Sequence, residues 1–338
     1  NEKKTLSLVF AIPDHPWVDA SEGAAVRIAM SVGTAGERPG ALGQILQERR
    51  TDEDARQIDF RWRHGKLHSN LVVGANLAAA QQLSANKDLS NRGVSLFGSG
   101  FILTREQAVN LRYRDKDFPE SVIREYRNGR DLTQTSRDVL VIDLFGYSAD
   151  DARRKVPGVY QWLVEYVKPE RDRNKRKVRR ENWWLFGETN PKLRNQLAGL
   201  SQYIATVETS KHRFFQFLGS EILPDNKLLC VASSDPKILG ILSSRLHVTW
   251  SFRTGGNLGV GNDPVYVKSR CFETFPFPET DEARANRITE AAEQIDSHRK
   301  RQQEQHPALT MTGMYNVLEK LRREEALTDK EKEIHEQG

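Results

Sequence analysis

Cysteine is scarce in this chain, since only Cys230 and Cys271 occur among its 338 residues. So few cysteines exclude a disulfide scaffold and a cysteine-rich zinc site, and they fit a reducing cytosol, so we predict a cytoplasmic protein. Long apolar runs are missing too. No window approaches the roughly 18 apolar residues that a membrane helix needs, and the polar first residues predict no signal peptide. We therefore expect no membrane partner.

Catalytic signatures are also lacking. No Pro-Pro occurs, which excludes an Asn-Pro-Pro-aromatic motif, and the eight histidines show no helical metal-ligand spacing. Pro224-Asp225 and Asp235-Pro236-Lys237 match a metal-dependent nuclease pattern in letters. That pattern needs its second acid and lysine on one strand, where Pro236 is excluded, so the segment predicts a helix N-terminus instead. We predict no catalytic residue and no metal site.

The glycine-rich segments do not indicate a cofactor. Residues 96–101 (LFGSGF) resemble a methyl-donor loop only superficially, because no strong strand precedes them and no acid is placed to hold a ribose. Residues 255–264 (GGNLGVGNDP) either bring the backbone close to a phosphate or form a hairpin loop, and the hairpin is favoured. No cofactor is predicted in this chain.

Basic residues concentrate in the middle of the chain, whose net charge is +5. Residues 151–200 hold 13 Lys/Arg against 6 Asp/Glu, whereas residues 279–338 hold 10 against 14. The densest run, 168–180, has eight basic and two acidic residues and precedes Trp183 and Trp184. Such a run neutralises DNA phosphates, and tryptophans support it or stack on a base. The alternative is a solvated loop anchored by two core tryptophans.

The candidate DNA contacts extend beyond this run to basic residues elsewhere in the chain, some of them beside the glycine-rich segment. They are Lys168, Arg171, Arg173, Lys175, Arg176, Lys177, Arg179, Arg180, Lys211, Arg213, Arg253, Lys268 and Arg270.

Hydrophobic patterning predicts an α+β fold. The predicted strands are 6–12, 24–32, 139–145, 204–207, 214–218, 228–232, 248–252 and 265–267, with weaker strands and loops over 33–70. Predicted helices follow the N-caps Thr104, Ser148, Thr280 and Thr328, and others cover 160–167, 193–203, 236–246 and 314–321. A mixed or antiparallel sheet should therefore precede a helical C-terminal segment. We expect the chain to be a piece of a longer protein.

Several segments carry a family resemblance. Residues 10–17 (FAIPDHPW) and 23–33 (GAAVRIAMSVG) resemble the last strand motif of N6-adenine DNA methyltransferases. FGSGFILT, KPERDRN, RRENWW, LSQYIAT, SKHRFF, LPDNKL, ILSSRLHVTW, GNDPVY and CFETFPFP follow in the order seen in type IIL restriction–modification enzymes. These enzymes join a nuclease, an adenine methyltransferase and a target recognition domain in one chain. Related phage-defence methyltransferases share the C-terminal half of these enzymes.

The resemblance implies a domain plan. Residues 1–90 would end an adenine methyltransferase domain, 91–278 would form the target recognition domain, and 279–338 would begin a helical C-terminal domain. The catalytic motif, the S-adenosylmethionine loop and the nuclease would lie upstream. Phe10 and Trp17 match aromatics that line the pocket of the flipped adenine, although HPW departs from the commoner motif. Alternatively, Trp17 packs against its own turn.

Two hypotheses of different class follow. In the first, the chain is a sequence-specific double-stranded DNA recognition module that positions DNA for an upstream methyltransferase domain, and possesses no activity alone. In the second, it is a structural or interaction module whose basic run docks on the parent enzyme or on a partner. In the second case the acidic C-terminal segment could also mask the basic run.

Overall fold

The computed structural model describes residues 5–16, 27–50, 56–258 and 263–338. The predicted α+β class is confirmed, because mixed and antiparallel sheets are followed by C-terminal helices. The chain divides into two compact units. The first contains residues 1–82 and 252–265, and the second contains residues 83–251 and 266–338. In the described ranges, no helix is long and apolar enough to cross a membrane.

The strands and helices are numbered in chain order. The strands are β1 (Leu6–Pro16), β2 (Arg27–Ala35), β3 (Gly40–Arg50), β4 (Arg56–Gly65), β5 (Ser90–Arg92), β6 (Ile102–Leu103), β7 (Ile123–Arg127), β8 (Leu140–Ile142), β9 (Gln202–Val207), β10 (Gln216–Gly219), β11 (Ile222–Pro224), β12 (Leu228–Val231), β13 (Gly256–Leu258) and β14 (Asp263–Val265). The helices are α1 (Arg105–Asn110), α2 (Gly129–Thr133), α3 (Ala149–Lys155), α4 (Pro157–Tyr166), α5 (Lys168–Asp172), α6 (Lys177–Glu181), α7 (Pro191–Leu197), α8 (Pro236–Ser243), α9 (Arg245–Thr254), α10 (Lys268–Cys271), α11 (Glu282–Gln305), α12 (Met311–Arg322) and α13 (Asp329–Gln337). Short 3₁₀ turns cover Leu77–Ala79, Ser84–Asn86 and Ser99–Phe101.

The first unit is built on a sheet with strand order β2-β1-β3-β4. β1 pairs antiparallel with β2 and parallel with β3, and β3 pairs antiparallel with β4. Among its described residues, Ala11, Leu42 and Leu67 form a buried core cluster. β1 continues beyond Pro13, where it was expected to stop, because a register shift between Ile12 and His15 accommodates the proline.

The hairpin reading of the glycine-rich segment is supported by the pairing of its flanks. β13 and β14 are antiparallel, with Gly256 opposite Val265 and Leu258 opposite Asp263. The residues between these strands lie outside the described part of the chain. The antiparallel pairing of the two flanks is the pattern expected of a hairpin.

The second unit contains two further sheets. One is antiparallel, with order β10-β9-β12-β5. The other has order β11-β7-β8-β6 and is mixed, since β11 runs parallel to β7 while its other pairs are antiparallel. α3, α4 and the segment after α6 pack on the mixed sheet through a core that includes Ile142, Leu163 and Trp183.

The C-terminal helices belong to this same unit. Ala292 of α11 is buried in the core formed with α8, and Met311 of α12 is buried in the core under the antiparallel sheet. Gly240 of α8 allows close contact, because an added Cβ would lie 2.6 Å from Ile288 Cγ2. The predicted domain boundaries near 90 and 278 stay predictions.

Capping residues locate most helix starts as predicted. Thr104, Ser148 and Thr328 accept backbone hydrogen bonds at the N-termini of α1, α3 and α13. Asp235 likewise caps α8, which confirms the helical interpretation of that segment over the nuclease pattern. The cap of α11 is Asp281 rather than the expected Thr280, because the carboxylate of Asp281 accepts from Arg284 N.

The predicted strand over 248–252 is wrong, because this segment lies within helix α9. Its β-branched and aromatic residues favour a strand locally. Tertiary burial decides otherwise: His247, Ser251 and Thr254 are buried at helical spacing. The predicted helix over 193–203 is shorter than expected, since α7 ends at Leu197 and Gly199 adopts φ +81°.

Candidate nucleic-acid interface

The basic run 168–180 folds as two short helices, α5 and α6, joined by a turn. Pro169 occupies the first turn of α5, where its missing N–H costs no hydrogen bond. Asn174 closes the turn, since its Oδ1 accepts from Arg176 N at 3.0 Å and its backbone oxygen accepts from Arg180 Nη1 at 2.6 Å. The run therefore presents its cations from a defined turn.

Three cations at this turn, Arg173, Lys175 and Arg176, are exposed. Within the described part of the chain, none of their side chains forms an ion pair. The neighbouring lysines differ, because Lys168 lies 2.7 Å from Asp172 and Lys177 lies 3.6 Å from Glu181. These two pairs are exposed, so they contribute little to stability and leave the turn strongly cationic.

The run is not masked by the acidic C-terminal segment. Across the described ranges, no ion pair joins residues 168–180 to residues 279–338. The acidic residues of the C-terminal helices pair instead with other partners, as Glu319 does with Lys211 at 2.9 Å and Glu331 with Lys320 at 2.7 Å. The cations of the turn are thus available to an external polyanion.

The two tryptophans support the run from below. Trp183 is 8% exposed and meets Tyr160 edge to face, with ring centroids 5.5 Å apart. Trp184 Nε1 donates to Tyr147 O at 2.9 Å. Trp183 is buried in the core of the mixed sheet and the partly buried Trp184 packs against that core, which favours the supporting role over base stacking.

The prediction that Arg171 contacts DNA is wrong, because this residue is buried, with 1% of its surface exposed. Its Nη2 donates to Leu96 O at 2.9 Å and to Leu185 O at 3.1 Å, and its guanidinium lies over the Phe101 ring. Burial lowers its pKa, and the charge of Arg179 adds to the effect. Arg171 therefore ties the run to the core and does not reach a phosphate.

The predicted DNA contact of Arg213 is wrong for the same reason. It is 4% exposed, its Nη1 donates to Thr206 Oγ1 at 3.1 Å and to the Val207 carbonyl oxygen, and its guanidinium lies 5.0 Å from the Tyr266 ring centroid. Burial lowers the pKa of Arg213 to about 10. Its role is structural, since it holds the end of β9 against the residues after β14.

The remaining predicted cations are dispersed. Lys211 bonds to Asn316 at 2.9 Å and pairs with Glu319 of α12, and Lys268 pairs with Glu273 at 3.0 Å. Arg270 is exposed in the second unit, whereas Arg253 is exposed in the first unit. Of the predicted cations, those of the run 168–180 share one local structure, the turn between α5 and α6 and its flanking helices.

The aromatic pair proposed for a flipped base is only partly described. Phe10 lies in β1, with its ring centroid 5.9 Å from that of Trp62. Trp17 lies outside the described residues. Their assignment to a base pocket stays a prediction.

Sequence reasoning missed Phe97, which lies beside the basic run. It is 44% exposed, and the guanidinium carbon of Arg179 lies 3.6 Å from its ring centroid. Its sequence signal is an aromatic residue followed by glycine in the segment 96–101, a pattern that also resembles a cofactor loop.

Metal chemistry has no support in the described residues, which hold no group of three or more His, Cys, Asp or Glu suited to a metal ion. Asp225, part of the nuclease-like pattern, accepts from the Tyr126 hydroxyl at 2.6 Å and from Lys227 N. His247 donates or accepts at the Tyr266 hydroxyl at 2.9 Å, and burial lowers its pKa to about 3. These groups hold the fold together.

This chain is similar in sequence to a family of target recognition domains and to a bacterial DNA methyltransferase. Residues 78–279 match the family described as MmeI, target recognition domain. Over 136 residues the chain is 33% identical to DNA methyltransferase A of Bacillus subtilis (strain 168), which is 39% of this chain and 14% of that protein.

Among solved structures, the type IIL restriction–modification enzyme MmeI in complex with DNA has the same fold, with a TM-score of 0.70 at 18% identity. That match covers 98% of this chain and 42% of the solved chain. The type IIG restriction endonuclease BpuSI matches at a TM-score of 0.35 and 11% identity, over 86% of this chain and 39% of the solved one. The chain thus spans less than half of the length of these proteins.

Proposed function

Because this chain belongs to the family of MmeI target recognition domains, we propose that it recognises a specific sequence in double-stranded DNA on behalf of a DNA-modifying enzyme. The observation that carries the proposal is the exposed turn of α5 and α6, with Arg173, Lys175 and Arg176 free of ion pairs in the described part of the chain. Cations presented in this way bind phosphates and release counterions. They fix the register of a duplex without reading its sequence.

The parent enzyme is proposed to be an N6-adenine DNA methyltransferase. Its methyltransferase domain, and a nuclease domain, would lie upstream in the same polypeptide as this chain. This chain would hold the duplex while the catalytic domain extrudes one adenine, since chemistry on a base requires it to leave the stack. S-adenosylmethionine would bind the catalytic domain, and no residue of this chain is assigned to it. Phe10 is the described residue proposed to line the flipped-base pocket.

Reversing the charges of the turn tests this function against a purely structural role. The triple variant Arg173→Glu, Lys175→Glu and Arg176→Glu should lose duplex binding, because three phosphate contacts become repulsive. It should still assemble normally with the catalytic part of the parent enzyme. Loss of assembly, with duplex binding retained by the isolated chain, would favour the interaction-module hypothesis instead.

A methyltransferase assay with the isolated chain is a second test of the proposed function. Supplied with S-adenosylmethionine and a duplex, this chain should bind the DNA but transfer no methyl group. Turnover by the purified chain would show that the catalytic residues lie here and would contradict the division of roles.

A further inference from the structure

Arg179 differs from the other cations of the basic run because its guanidinium lies over the ring of Phe97, an aromatic residue outside the run. Phe97 exposes 44% of its side chain although it is a large apolar residue, and its backbone adopts φ +50°. Bulky side chains rarely occupy this left-handed region, because Cβ then crowds the backbone. Such a conformation persists only where the surroundings hold it, and it is concentrated at functional sites.

The backbone that leads into Phe97 is held by hydrogen bonds to residues 187 and 188. Ser95 and Glu188 exchange backbone hydrogen bonds of 3.0 and 3.1 Å, and Gly187 N donates to Leu96 O at 3.2 Å. A Cβ at Gly187 would lie 2.3 Å from Phe97 Cδ2, so the ring rests directly on the backbone there. The ring is therefore a rigid platform and not a loosely exposed side chain.

The guanidinium of Arg179 lies over the face of this platform. Its guanidinium carbon is 3.6 Å from the Phe97 ring centroid, well inside the range of a cation–π contact. Within the described residues its guanidinium forms no ion pair and donates no hydrogen bond. Stacking uses the face of the guanidinium and leaves the N–H donors in its plane free.

A polar cavity of about 390 Å³ adjoins the platform, since Phe97 is one of its lining residues. Tyr126 and Asp225, which also line it, are bonded to each other. Asn226 lines it as well, and its side-chain amide forms no hydrogen bond among the described residues. The platform therefore borders a recess in which, among the described residues, the side-chain amide of Asn226 is free.

We propose that Arg179, held on Phe97, is a specificity-determining residue that donates both hydrogen bonds of a bidentate contact to the major-groove edge of a guanine. This assignment rests on the proposed function. Guanine presents two acceptors, O6 and N7, which match an arginine that has only donors, whereas adenine presents one donor and one acceptor. A guanidinium already immobilised by stacking loses little conformational entropy on binding. Arg173, Lys175 and Arg176 lack such a platform and contact phosphates.

Selection from a randomised duplex library, followed by affinity measurements on the selected duplex and its single-base variants, tests the assignment. Arg179→Lys keeps the charge but loses the bidentate fork, and Arg176→Ala is the matched control in the same run. Gly187→Ala displaces the Phe97 ring without altering Arg179. Thermal melting of each variant reports folding separately.

With Arg179→Lys we expect roughly 10- to 100-fold weaker binding of the selected duplex, a lost preference at one G·C pair and little change on unrelated duplexes. Gly187→Ala should move binding in the same direction, and Arg176→Ala should weaken all duplexes alike. If Arg179→Lys preserves the preference at every position, or weakens all duplexes as uniformly as Arg176→Ala does, the assignment is overturned. A wild-type chain that selects no sequence would overturn the proposed function as well, which distinguishes the two failures.

Discussion

Replacing Arg173, Lys175 and Arg176 together with glutamine removes the three cations that the structure leaves exposed and unpaired in the basic turn. Each phosphate contact adds about 0.9 to the slope of log affinity against log salt. Three contacts add about 2.7, and at roughly 0.15 M salt they correspond to an affinity loss on the order of 10²-fold, or about 3 kcal/mol. Fluorescence anisotropy with a labelled duplex, from about 50 to about 200 mM salt, measures both quantities.

The matched control has the same change of net charge at another place. Arg287, Arg322 and Lys330 are exposed on the C-terminal helices, and their replacement by glutamine also removes three positive charges. The control should leave the salt slope nearly unchanged, because it removes no phosphate contact. Equal losses in both triples would show that net charge alone drives binding and would refute the reasoning from the turn.

Three further predictions concern stability and are measured by urea or thermal unfolding. Gly240→Ala places a Cβ 2.6 Å from a side-chain carbon of α11 and should lower the free energy of unfolding by about 1–3 kcal/mol, whereas Gly158→Ala, with its nearest neighbour at 3.8 Å, should not. Asp143→Ala strands the partly buried Arg194, which donates to its carboxylate at 2.7 and 3.1 Å, and should cost about 3 kcal/mol; a loss no larger than for an exposed pair would contradict this. Burial lowers the pKa of His247 to about 3, whereas the unfolded chain has a value of about 6.5. Between about pH 3 and about pH 6.5 the unfolded chain therefore binds a proton that the folded chain does not, and the free energy of unfolding should fall by about 2 kcal/mol from pH 7 to pH 5. A His247→Gln variant should lack that component of the decline.

Much of the local structure could be predicted because short-range signals determine it. Side-chain caps at Thr104, Ser148 and Thr328 satisfy the first N–H groups of a helix whatever the fold around them. The segment 248–252 shows the limit of such signals. Its composition favours a strand, but the burial of His247 and Ser251 against distant residues makes it helical.

The candidate interface was predictable as a charge cluster but not as a geometry. A run of basic residues identifies the segment, yet it does not distinguish Arg171, which is 1% exposed, from the exposed Arg173. That difference depends on carbonyl acceptors at Leu96 and Leu185, which come from other parts of the chain. Phe97 escaped notice for the same reason, because its contact with Arg179 joins segments more than eighty residues apart.

Competition between a library-selected duplex and scrambled duplexes of the same length tests the central claim most directly, with the wild-type chain at about 0.15 M salt. A target recognition domain should bind the selected duplex at least about 10³-fold more tightly, the lower range for specific over non-specific binding. Equal affinity for all duplexes would contradict sequence recognition by this chain.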